Sequence, residues 1–118
     1  ARSLAPLAAL PAQAIFAPLD IGPDILLATP HSVIATGHHR NAAAMDRVIH
    51  AYLADPATAL RLIRETPATL ILLCPRLPEI DVYRKRAPQG LAARLAAQHA
   101  APEEIAVLRE MVRHALGA

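Results

Sequence analysis

The chain has 118 residues and a formal net charge of +2; 54% of its residues are hydrophobic, only 3% are aromatic, and there is one cysteine. That length suits a single domain, residues 1–118, and the apolar content excludes a disordered chain. One cysteine excludes an internal disulfide framework. The only tight basic cluster, Arg84-Lys85-Arg86, reads as a solvated helix end rather than a nucleic-acid surface, so no nucleic-acid partner is expected.

With so few rings, the core is expected to be aliphatic. Residues 3–19 carry no Asp, Glu, Lys or Arg, but Pro6, Pro11 and Pro18 argue against a membrane-spanning helix there. The start shows no basic region leading into a clean apolar run, so no signal peptide is expected. The first residue is Ala1 rather than methionine, and a piece excised from a larger membrane protein is expected.

Leu4, Leu7 and Leu10 recur every third residue, which predicts a short helix ended by Pro11. A first apolar run, 14–19, reads as a strand, with Pro18 a warning that its last residues leave the ladder. Gly22 is expected as a cap and Pro23 as the first residue of a short helix over 24–28. Thr29-Pro30 stops that helix before a second strand, 32–36. The connection between the two strands has the minimum length for a parallel crossover. Asn41 reads as an amino-terminal cap, and Met45, Val48, Ile49, Tyr52 and Leu53 behind it form the stripe of an amphipathic helix. Asp55-Pro56 repeats the start signal. After Thr66-Pro67 comes a third strand, 69–73, apolar on both faces and so central in a sheet. Helices are expected over 79–86, 90–99 and 102–116, the last with Ile105, Leu108, Met111, Val112 and Leu116 on one face and Gly117 beyond its end.

These elements predict an α/β domain. It is a small three-layer αβα sandwich with a three-strand parallel sheet in the order 2-1-3 and a helical carboxyl-terminal segment. Ligands of open α/β sheets bind beyond the carboxyl ends of the strands. Asp20, Gly22, His38, His39, Arg40 and Arg76 are therefore the candidate ligand contacts, with Cys74 at the same edge. A carboxylate, imidazoles and a thiol are zinc-ligand types. Yet there is no cysteine pair and no His-x-x-x-His, and adjacent histidines on an extended segment point apart, so no metal site is expected. Cys74 reads as a small buried hydrophobe rather than a nucleophile. Asp20 reads first as a helix-opening residue bonding backbone amides and second as a ligand contact. His31, His50, His99 and His114 read as surface or helix-face residues. No phosphate loop, nucleophile elbow or dinucleotide fingerprint occurs, and no catalytic residue or cofactor is assigned.

The order of elements is distinctive: a strand, Asp20-Ile21-Gly22, a short helix, Thr29-Pro30-His31 and a strand, a helix led by Arg40-Asn41, then the strand ending at Cys74. Over residues 10–95 this order resembles the soluble tail of bacterial polytopic membrane proteins of the C-type glycosyltransferase kind. It is similar, more distantly, to the carboxyl-terminal soluble core of oligosaccharyltransferase catalytic subunits, where a Trp-Trp-Asp-Tyr-Gly motif helps bind the acceptor peptide. Asp20 and Gly22 fall on that motif's Asp and Gly. Pro18 and Leu19 stand at its tryptophans and Ile21 at its tyrosine, so the scaffold carries over and peptide recognition does not.

The resemblance implies a non-catalytic, periplasm-facing domain of an inner-membrane protein. Catalysis by such a glycosyltransferase parent would sit on loops between its membrane helices. The implied partners are that membrane-embedded part and a lipid-linked sugar or acceptor. The alternative is a free-standing small-ligand-binding or enzymatic module using the strand-end edge. A third reading is an interaction module that docks through 102–116 as a weak homo-oligomer.

Overall fold

Proline and capping residues cut the chain into short elements. The computed structural model of the protein describes residues 5–37, 41–72, 77–98 and 105–107. Helix α1 (Ala5–Ala8) precedes strand β1 (Ala14–Phe16), which is half the length of the expected apolar run. Pro18 has no N–H for a ladder, and the chain instead enters a 3-10 turn at Leu19–Ile21. Helix α2 (Gly22–Ala28) continues from that turn, and β2 (Ser32–Val33) is only two residues long. Gly22 closes the 3-10 turn, its N–H donating to Leu19 O, and is the first residue of α2 rather than that helix's amino-terminal cap. Its lack of a side chain matters because a Cβ there would lie 2.6 Å from Thr36 Cγ2.

The two capping expectations hold. Asn41 accepts the Ala44 N–H at 3.1 Å to open α3 (Ala42–Leu53), and Asp55 accepts the Thr58 N–H at 3.2 Å to open α4 (Pro56–Arg64). Hydrogen bonds from the Thr58 side chain and backbone hold the Asp55 carboxyl below its ordinary range. The stability this contributes is present at neutral pH and is lost as pH falls through the lowered value. Strand β3 (Ala68–Leu72) follows, then α5 (Pro78–Arg86), α6 (Leu91–Gln98) and β4 (Ile105–Val107).

The sheet order is β2-β1-β3-β4. β1 runs parallel to β2, with Ala14 opposite Ser32, and parallel to β3, with Ile15 opposite Leu70 and Phe16 opposite Ile71. The parallel part is thus the expected three strands in the order 2-1-3. The fourth strand is a correction: residues 105–107, expected within a helix over 102–116, pair antiparallel with β3, Leu72 lying opposite Ile105. An unpaired β3 edge offers a row of backbone donors and acceptors, and Ile-Ala-Val suits a strand. The rest of the expected helix lies outside the described residues.

The two crossovers run in opposite directions across the sheet, so right-handed connections put α2 on one face and α3 with α4 on the other. α3 also packs against α5 and α6. Gly90 permits part of this, since a Cβ there would fall 2.5 Å from Leu53 O, and Leu91 N–H donates to Ala54 O at 2.7 Å.

The core is aliphatic except at its centre. The protein's only phenylalanine and both of its tyrosines form one column: Phe16 and Tyr52 centroids lie 5.7 Å apart, and Tyr52 and Tyr83 stack at 5.6 Å. His31 also departs from expectation, being buried rather than on the surface. Its Nε2 donates to Leu7 O at 2.7 Å and its Nδ1 accepts the Gln13 N–H at 3.1 Å, a pairing that fixes the tautomer and ties α1 to the start of the sheet.

Candidate functional site at the strand ends

The carboxyl end of β1 brings Asp20, Gly22 and Gly37 together. Gly37 N–H donates to Leu19 O at 3.4 Å, and a Cβ on Gly37 would stand 3.8 Å from Asp20 Oδ1. These are the neighbours that the parallel arrangement requires. His38, His39, Arg40, Cys74 and Arg76 lie outside the described residues.

The structure reverses one expectation at this rim. Asp20 reads from the sequence as the residue whose carboxylate caps the turn, but neither the turn nor α2 has a side-chain cap from its own segment. Glu79, in the first turn of α5, does that work from 59 residues away. Its Oε2 accepts the Leu19 N–H at 2.9 Å and its Oε1 accepts the Asp20 N–H at 2.8 Å. The Tyr83 hydroxyl, one turn further along α5, donates to the same carboxylate. The orphan amides at the start of the turn are thereby satisfied, and the exposed Asp20 side chain is released from capping.

Glu79→Gln tests this clamp. The amide keeps the shape but turns an NH2 group toward a backbone N–H, so a loss of about 1–2 kcal/mol is expected in urea unfolding. An unchanged midpoint would show that the carboxylate is not needed there.

Burial, followed by the Glu79 hydrogen bond and the nearby charges of Glu79 and Asp20, pushes the Tyr83 phenol well above its ordinary value of 10.0. The native state therefore keeps a proton that the unfolded chain gives up, and this contribution to stability falls as pH rises past about 10. With Tyr52→Phe leaving Tyr83 the sole phenol, its phenolate absorbance is expected to appear only as the chain unfolds. A smooth titration at the ordinary value in the folded protein would contradict this.

Away from the rim, α3 and α4 enclose a groove of about 570 Å³ lined by Ala43, Arg47, His50, Leu53 and Leu62, among others. Arg47 is held at its edge by Glu65 at 2.8 Å and Leu62 O at 3.1 Å. No group of three or more His, Cys, Asp or Glu side chains that could hold a metal ion occurs among the described residues. Arg84, Lys85 and Arg86 form the exposed last turn of α5, where Lys85 pairs with Asp81 at 3.1 Å and the charges complement the helix dipole.

Glu79 and Tyr83 were missed because a glutamate and a tyrosine four apart on a short charged helix look like any half-exposed pair. The signal in the sequence is the i, i+4 spacing of Glu79 and Tyr83, which puts both on one face of the helix.

The fold and rim define the class: a small α/β domain with a four-stranded sheet, parallel but for β4, and an exposed carboxylate at the end of β1. Comparison of the chain with protein-family models, with curated proteins and with solved structures finds no match.

Proposed function

We propose that this domain is a non-catalytic, periplasm-facing part of an inner-membrane protein related to lipid-linked sugar transfer. In this reading its strand-end rim covers or steers the membrane-embedded active site of its own parent chain. The order of elements around Asp20-Ile21-Gly22 motivates the family reading. The observation that carries the rim is the exposed Asp20 carboxylate, freed from capping by Glu79. A carboxylate beside Gly37 suits hydroxyl donors of a sugar or an acceptor, because it accepts strong hydrogen bonds and Gly37 adds no side chain in the way.

The test is a titration of isotope-labelled domain with a polyprenyl-phosphate-linked sugar in detergent micelles, read by amide chemical shifts. Saturable shifts at Asp20, Gly22 and Gly37 that vanish in Asp20→Asn are expected. Shifts of equal size in that variant, or none at all, overturn the reading. A free-standing ligand-binding module is the second reading, and the groove between α3 and α4 favours it. Shifts confined to Arg47, His50 and Leu62 would select it instead.

A further inference from the structure

The α2 side of the sheet carries exposed leucines that no other described element covers. α2 reads Gly-Pro-Asp-Ile-Leu-Leu-Ala, yet only Ile25 of its three large apolar residues is buried; Leu26 is 52% and Leu27 88% exposed. Leu10, just after α1, is a further exposed leucine at 38%. α1 and the end of α2 meet at His31, which α1 holds through Leu7 O. Between residues 3 and 39 the only charged side chains are Asp20 and Asp24; Arg2 aside, all others follow residue 39 and include those of α3, α4, α5 and α6. Among the described residues the helical layer of α3 to α6 is therefore charged and that of α1 and α2 mostly apolar. Val82, the other large exposed apolar side chain among the described residues, stands on α5 beside Asp81, Arg84 and Lys85, as scattered surface hydrophobes ordinarily do.

We infer that α2 is a bilayer-docking element that sinks Leu26 and Leu27 into the lipid interface. A second copy of the chain fits this face less well. Three leucines fall far short of the ~800 Å² per partner that a stable dimer buries. Two protruding leucines need no matching surface in lipid, where each finds an apolar medium directly. Asp24 stands one turn before Leu27 and marks the waterline, because a carboxylate does not follow the leucines into hydrocarbon. Among the described residues 5–37 the formal charges are those of Asp20 and Asp24 alone, so docking favours zwitterionic lipid over anionic headgroups. The inference goes beyond the sugar-transfer reading, since it needs only the exposed leucines and the partition of charge.

The test uses the chain with phosphatidylcholine nanodiscs carrying a gadolinium-chelate lipid, read by amide signal loss. Leu26, Leu27 and Ala28 are expected to broaden while α5 stays sharp. The double variant Leu26→Ser with Leu27→Ser, both at exposed positions and checked for an unchanged thermal midpoint, is expected to lower vesicle-bound protein at least about tenfold. Three outcomes overturn the inference: no binding at saturating lipid, broadening centred on α3 or α5, or binding that grows with anionic lipid and collapses in salt. A serine-sensitive dimer without vesicle binding assigns the face to a second copy and overturns it equally.

Discussion

Tyr52→Ala is expected to lower the unfolding free energy by about 3–5 kcal/mol, the cost typical of removing a fully buried ring. Tyr52 is 0% exposed and stands between Phe16 and Tyr83 in the only aromatic column of the protein. Its hydroxyl donates to Leu72 O at 2.9 Å and lies 3.3 Å from Phe16 O, so one side chain of α3 grips the ends of β1 and β3 together. Truncation to alanine leaves a void, removes both ring contacts and takes the hydroxyl's hydrogen bond from Leu72 O. Tyr52→Phe separates these effects by deleting the hydroxyl alone, with an expected loss of about 1 kcal/mol. Urea unfolding of both variants gives the comparison. If alanine costs under about 1 kcal/mol, the column is not what holds the helical layer to the sheet.

Leu72→Ala is the second large effect, expected at about 2–5 kcal/mol. Leu72 is 1% exposed and belongs to β3, one of the two inner strands, with β1 on one side and β4 on the other. Ile71, adjacent to it, lies beside Phe16 in the parallel register, so Leu72 projects to the opposite face of the sheet from the aromatic column. A strand pinned by ladders on both edges cannot slide into the void, which places the cost toward the upper part of the range. A denaturant titration showing less than about 1 kcal/mol of loss would remove Leu72 from the core.

Where a signal is local, the sequence carries it. Asn41 and Asp55 cap because a short side-chain acceptor three residues before an amide needs nothing from elsewhere in the chain. The parallel strands are legible because a run buried on two faces must be apolar, as Leu70, Ile71 and Leu72 are. The features that escape are all long-range. β4 forms because β3 has an open edge, not because Ile105-Ala106-Val107 departs from helical spacing; in a wider window those residues fit a helical stripe equally well. His31 follows Thr29-Pro30 and looks like loop, yet its ring is committed to Leu7 O, 24 residues earlier. The rings at 16, 52 and 83 come from three separate elements, and no spacing announces that they stack. Asp20 lies beside Gly37 after β1, but the amide-bonding task expected of it belongs to Glu79. The candidate site is thus located by the order of strands, while the division of labour within it is set by tertiary contacts.

That division has a consequence for selectivity. Where an open α/β sheet usually offers vacant amides at the tip of its first strand, a phosphate reaching this tip meets a negative side chain already seated on them. Among the described residues at this tip, the two carboxylates, one engaged with the amides and one exposed, disfavour an anion on those amides and leave Asp20 able to accept hydrogen bonds from hydroxyl groups.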